Sequence, residues 1–211
     1  MNIIFDFDGT LFDTRTVDIT AFNRALLTMG RIKLPAGVIL ASIGKPIGLI
    51  AKDYLKTDDD ALIQRFVSLA LKFELEEIEK SALMYPYAIE MLQRLKAAGH
   101  SLAICSNGTK DYLLSILRKF NILSMFDIVW HKHDGVSKAS ALGIVIDRMR
   151  KDKNIFIGDR EEDRQAAKAN GIAFIGAGYG FGGDELRGTP YLASELPEIL
   201  ALVDQIRLSN Q

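Results

Sequence analysis

The sequence predicts an α/β protein, a doubly wound parallel sheet with a small all-helical cap domain inserted into it. Three observations lead there. The chain opens on an apolar run, Ile3-Ile4-Phe5 with Phe7 just beyond, of the kind a strand buried on both faces requires. From Met84 onward, short apolar segments alternate with amphipathic ones, the texture of successive strand and helix units in a parallel sheet. Between these regions, from Asp13 to Tyr85, only helical periodicity occurs.

The first strand is expected over residues 2–7. After Asp13, the apolar residues Ala21, Phe22, Ala25, Leu26 and Met29 recur at helical spacing, and Gly30 stands where a helix stops. Residues 31–56 hold Pro35, Gly37, Gly44, Pro46 and Gly48 between short apolar clusters, which predicts two brief helices joined by a turn at Ile43-Gly44-Lys45-Pro46. Asp58-Asp59-Asp60 gives an acidic start to a long helix with Leu62, Phe66, Leu69, Ala70 and Phe73 on one face. Pro86 suits a first helical position, and Ile89, Leu92 and Leu95 form the stripe of a helix that Gly99 ends. Further strands are expected at 102–105, 127–130, 154–157 and 172–175, with helices between them. Residues 1–13 and 86–211 then form the α/β core, and residues 14–85 the helical cap.

Composition narrows the function classes. With 211 residues, 48% of them hydrophobic and 25% charged, the chain can bury a sizeable core. Its 26 basic and 27 acidic residues leave a net charge of -1, so neither nucleic acid nor an anionic membrane is an expected partner. Cys105 is the single cysteine, which rules out an intrachain disulfide. The first twenty residues carry Asp6, Asp8 and Asp13 without a basic start, unlike a signal peptide or membrane span, and the expected location is cytoplasmic.

Chemistry-bearing residues recur where strands end. Asp6 and Asp8, two apart at the end of the first strand, point to the same side, and Gly9 lets the chain turn after them. Two carboxylates held close invite a divalent cation, or divide into one ionised and one proton-carrying group. The second strand leads into Ser106-Asn107-Gly108-Thr109, and the fourth into Gly158-Asp159-Arg160-Glu161-Glu162-Asp163. In an open parallel sheet these ends share one crevice. Taken alone, the first of these runs reads as a turn before a helix capped by Thr109, and the second as the acidic first turn of a helix. The glycine-rich run 176–183 contains Gly178, Gly180 and Gly183 in a Gly-x-Gly-x-x-Gly pattern, but the helix a dinucleotide site needs does not follow.

The string Asp6-Phe7-Asp8-Gly9-Thr10-Leu11-Phe12-Asp13 resembles the first motif of the haloacid dehalogenase superfamily, in the form its phosphatases carry. Ser106-Asn107-Gly108 resembles the second motif, Lys138 matches the place of the third-motif lysine, and Gly158, Asp159 and Asp163 match the fourth. Run 176–183 and the later Glu195-Leu196 are similar to the closing segments of phosphoglycolate-phosphatase-like members. Arg160 departs from the pattern, which commonly has a small hydroxyl residue there, as do Ala139 and Ala141, where many relatives have prolines.

The resemblance implies an Mg²⁺-dependent phosphatase for a small phosphorylated metabolite. Asp6 would be the nucleophile that becomes an aspartyl-phosphate, and Asp8 the general acid and base. Ser106 and Lys138 would stabilise the transferring group, with Asn107 and Gly108 contributing backbone amides. Metal ligation would fall to Asp6, Asp8 through its carbonyl, and Asp159, with Asp163 behind them. Thr10 would orient Asp8. In the cap, Lys45 occupies the region where relatives present a specificity residue. The alternatives are a phosphomutase of the β-phosphoglucomutase type and a non-catalytic binding protein on the same fold.

Overall fold

The computed structural model describes residues 1–133 and 135–209. Six strands form one parallel sheet: β1 (Asn2–Phe5), β2 (Ser101–Cys105), β3 (Ile128–Trp130), β4 (Asn154–Gly158), β5 (Ala173–Ala177) and β6 (Leu192–Ala193), in spatial order β3-β2-β1-β4-β5-β6. Strand β1 lies in the middle, with Ile4 opposite Ala103 on one side and Phe156 on the other. The chain reverses its direction of strand addition at β1, and ligands of open α/β sheets collect at such a switch point, outside the carboxyl ends of the strands.

Alternation along β1 explains its apolar run. Ile3 and Phe5 face a cluster completed by α5 (Ala88–Ala97), α6 (Lys110–Lys119) and α9 (Glu198–Leu208). Ile4 faces the opposite cluster, with Cys105, Phe156 and the apolar sides of α7 (Lys138–Arg148) and α8 (Glu161–Ala169). Both faces are covered, so the strand has no polar side to show.

The segment between β1 and α5 is helical: α1 (Arg15–Thr28), α2 (Ala36–Leu40), α3 (Ile47–Leu55) and α4 (Asp60–Ser81). These four build a core of their own, in which Phe22, Ile39, Ile50, Leu55, Phe66 and Phe73 pack together. The long helices α1 and α4 also reach the sheet, since Val17 and Ile78 belong to the sheet's cluster. Asp59 caps α4 by accepting the amides of Ala61 and Leu62. No helix among the described residues is long and apolar enough to cross a membrane.

Three details differ from the sequence reading. Helix α5 begins at Ala88, because Tyr87 before it adopts a left-handed conformation (φ 66°), and Pro86 lies outside. A sixth strand, Leu192–Ala193, pairs with β5. The final apolar run reaches Ala177, so Gly176 belongs to β5 and sits opposite Gly158.

Candidate active site

Strand β1 delivers Asp6 to the floor of the crevice, and three loops bring it partners. Lys138, at the first turn of α7, is buried and places Nζ 2.5 Å from Asp6 Oδ1 and 3.0 Å from Asp163 Oδ1. Asp163, in the first turn of α8, also accepts the Arg160 amide through Oδ2 at 3.1 Å. Asp159 sits just beyond β4, 1% exposed, and takes the Phe181 amide on Oδ2 at 2.6 Å. Its Oδ1 is buried without a partner.

Carboxylate oxygens of Asp6, Asp159 and Asp163 lie within 4.8 Å of one another. One lysine faces these three acids. Burial raises the Asp6 carboxyl well above its usual range, Lys138 opposes the rise, and Asp163 and Asp159 add to it. Asp159 is pushed up to about 7, first by burial and then by Asp163. Lys138 stays protonated: burial pulls it down, but Asp163 and Asp6 outweigh that. The excess of buried negative charge, hard oxygen donors and the orphaned Asp159 Oδ1 fit a small divalent cation, which Asp6 and Asp159 would hold. Asp163 spends one oxygen on Lys138 and the other on the Arg160 amide, so it would support the ligands from behind. The side chain of Asp8 lies outside this trio.

Two residues that the sequence reading did not single out hold Asp8. Thr14 donates its hydroxyl to Asp8 Oδ1 at 2.8 Å and Tyr112 donates its phenol to the same atom at 2.7 Å. Burial raises the Asp8 carboxyl, while the Tyr112 and Thr14 donors pull it back. Thr10, expected to orient Asp8, does not do so: its hydroxyl is buried without a partner, and its carbonyl accepts the Tyr179 phenol at 2.8 Å.

Glycines allow these loops to approach one another. Gly9 has φ +83°, and a Cβ there would sit 2.4 Å from Asp159 Oδ2. A Cβ on Gly182 would meet the Asp159 carbonyl oxygen at 1.8 Å. The glycine-rich run therefore serves close packing against Asp159, and the short turn of 3-10 helix over Gly183–Leu186 offers no N-terminus for a dinucleotide.

Asp6, Asp8, Ser106, Asn107, Gly108 and Lys45 line one cavity of about 60 Å³. Ser106 is buried and its Oγ accepts the Gly108 amide at 2.9 Å. Asn107 reaches across to the helical layer, donating to the Gly44 carbonyl at 3.0 Å. Lys45 stands half-exposed, its Nζ 3.7 Å from the Asp53 carboxylate. Arg160 spans the same gap from the other side. Its guanidinium donates to the carbonyls of Leu40 (3.3 Å) and Ile43 (2.7 Å) in the helical layer, and to the Phe181 carbonyl (3.3 Å) and Glu185 (3.0 Å) in the sheet layer.

The family model described as haloacid dehalogenase-like hydrolase matches residues 3–177. The chain belongs to this hydrolase family. Among its relatives, a phosphoglycolate phosphatase of Nitrosospira multiformis is 30% identical over 190 residues, covering 85% of this chain and 83% of that protein. One of the same name from Neisseria meningitidis is 26% identical over 219 residues, covering 93% and 91%. The fold agrees with solved members, including a haloacid dehalogenase-like family hydrolase from Streptococcus pneumoniae (TM-score 0.82, 23% identity, 96% and 97% of the two chains covered).

Tyr112, Thr14 and two further acids, Asp18 and Glu74, which also line the cavity, were missed in the sequence. A signal for the acids existed. Asp18 interrupts the stripe Val17, Ala21, Phe22, Ala25 of α1, and Glu74 follows Phe66, Ala70 and Phe73 on the buried stripe of α4. An acid on an apolar stripe is costly to bury and calls for a reason.

Proposed function

We propose that the chain is a Mg²⁺-dependent phosphatase that hydrolyses a small phosphorylated metabolite through an aspartyl-phosphate on Asp6. The observation that carries this reading is the Asp6 carboxylate, set against Lys138 and clustered with Asp159 and Asp163 at the end of the central strand, with a second buried acid, Asp8, two residues on. The phosphoglycolate phosphatases among its relatives support the same reaction class. The helices of residues 14–85 act as the cap, closing over the substrate to exclude bulk water.

In the first step an oxygen of Asp6 attacks phosphorus, the ester P–O bond breaks, and Asp8 gives its proton to the departing alkoxide oxygen. Thr14 and Tyr112 aim the Asp8 carboxyl for this transfer. In the second step Asp8, now ionised, takes a proton from a water that attacks phosphorus, which frees Asp6 and releases inorganic phosphate. Lys138 balances the charge that builds on the phosphoryl oxygens, and Ser106 holds one of them. Asp6, the Asp8 carbonyl and Asp159 would hold Mg²⁺, which would supply positive charge to offset that of the nucleophile and the phosphate.

The test is release of inorganic phosphate from a panel of small phosphate esters, with Mg²⁺ or with excess chelator. Turnover is expected in Mg²⁺, stops with chelator, and falls at least about 10³-fold in Asp6→Asn. Isomerised ester with little free phosphate would instead identify a mutase. Binding without turnover in any condition would leave a non-catalytic protein.

A further inference from the structure

The cavity over Asp6 has a second end, walled by the helical layer, and its chemistry is unlike the first. Asp18 comes from α1 and Glu74 from α4, two helices that pack on each other, and both side chains are buried at the cavity wall, 7% and 5% exposed. Among the described residues, no arginine or lysine pairs with either. Asp18 Oδ1 is buried and has no hydrogen-bond partner. The remaining wall on this side is apolar, with Phe22, Ile43, Ile47 and Ile50. Of the charged side chains lining the cavity, four are carboxyls, Asp6, Asp8, Asp18 and Glu74, and one is a lysine, Lys45, half-exposed near Asp53.

A buried acceptor without a donor costs about 1–3 kcal/mol, and at the wall of a cavity over the reacting group a ligand's donor is a reason to retain it. Burial, and the nearness of each carboxyl to other acids, pushes Asp18 well above its ordinary value and Glu74 to about 8. Hydrogen-bond donors arriving from a ligand would satisfy Asp18 Oδ1, and an ammonium would let both carboxyls give up the protons that burial keeps on them. A ligand carboxylate offers acceptors only, and would keep both carboxyls protonated, with Asp8 alongside.

We infer that Asp18 and Glu74 form the subsite for the leaving group, and that it takes a phosphate ester whose leaving group presents hydrogen-bond donors, an ammonium or hydroxyls, in preference to one ending in a carboxylate. The inference rests on the phosphatase reading above and deepens it by naming the substrate class. The leaving group expected here differs from that of phosphoglycolate, which ends in a carboxylate.

The test compares kcat/KM for 2-aminoethyl phosphate, glycerol 3-phosphate and phosphoglycolate, each in Mg²⁺, in the wild type, Asp18→Asn and Glu74→Gln. The quantity read is the ratio of the better donor ester to phosphoglycolate within one preparation, so any loss of folded protein cancels. The wild-type ratio is expected to be about tenfold or more, and each substitution to lower it about tenfold, the effect of replacing a carboxyl that can ionise beside the ligand's donor with an amide that cannot. The aminoethyl and glycerol arms distinguish an ammonium from hydroxyls. A wild-type ratio below about threefold, or a ratio that neither substitution moves by that factor, overturns the subsite. Phenyl phosphate, which has neither group, reports on the phosphatase reading separately. If it is turned over and the ratio fails, the subsite alone is wrong; if no ester is turned over, the phosphatase reading falls and the subsite with it.

Discussion

The two ends of one cavity are built in opposite ways. At the sheet end each acid has at least one partner: Asp6 and Asp163 share Lys138, Asp163 also takes the Arg160 amide, Asp159 takes the Phe181 amide on Oδ2 while its Oδ1 stays free for a cation, and Asp8 is held by Thr14 and Tyr112. At the helical end Asp18 and Glu74 are buried with no cationic side chain paired to them among the described residues, and one oxygen of Asp18 has no donor. A preassembled network fixes geometry before substrate arrives, which suits the group that attacks phosphorus. An unsatisfied pair leaves its affinity to be realised by the ligand, which suits discrimination among leaving groups. On the proposed reading, the sheet carries the reaction and the helices the choice of substrate.

Substitutions at the two ends should therefore differ in size and sign. Lys138→Met strands Asp6 and Asp163 as buried, uncompensated acids, and urea unfolding should show a loss of about 3–5 kcal/mol. Tyr112→Phe removes one of two donors to Asp8 and should lower kcat about tenfold with little change in KM, read from initial rates on phenyl phosphate. Glu74→Gln should behave in the opposite sense. Folding raises the Glu74 carboxyl from an ordinary value near 4.3 to about 8, so the folded state holds the extra proton. Stability from this group is present below that ordinary value and is lost as pH rises toward 8. Urea titrations across this range should find Glu74→Gln at least as stable as the wild type at the alkaline end, with no gain at pH 4. If Glu74→Gln destabilised at pH 8 as much as Lys138→Met, the contrast between the two ends would be broken.

The smallest expected effect concerns the joint between the ends. Arg160→Ala removes donors to the Leu40 and Ile43 carbonyls without creating a buried charge. Amide exchange in α2 and the turn after it should quicken, and KM should rise a few-fold while the melting temperature moves little. Unchanged exchange there would show that Asn107 and Gly44 hold the layers together without it.

How much of this was legible in the sequence follows the same division. The sheet end could be read because its residues sit at fixed places relative to strands: Asp6 and Asp8 at the end of an apolar run, Ser106 and Asp159 after two others. Lys138 carries little local signal and was located through the family resemblance and its place between the third strand and the body of the next helix. Strand β6 escaped because two residues are too few to show alternation. The start of α5 was misplaced because Pro86 is equally at home just before a helix, and the left-handed Tyr87 cannot be anticipated from its side chain. The glycine-rich run shows its reason only once Gly9, Asp159 and Gly182 are seen in contact. Tyr112 was hidden among core residues, next to Leu113 on α6. Asp18 and Glu74 were visible as acids on apolar stripes, but their meeting at one cavity depends on how α1 and α4 pack, and single-helix periodicity does not carry that information.

The central claim is that Asp6 takes the phosphoryl group before water does. The stereochemistry of transfer from an ester with an isotopically chiral phosphoryl group tests it most directly. Two successive in-line displacements, first by Asp6 and then by water, predict overall retention of configuration at phosphorus. Inversion would mean that water attacks the ester directly, and would remove Asp6 from the role of nucleophile.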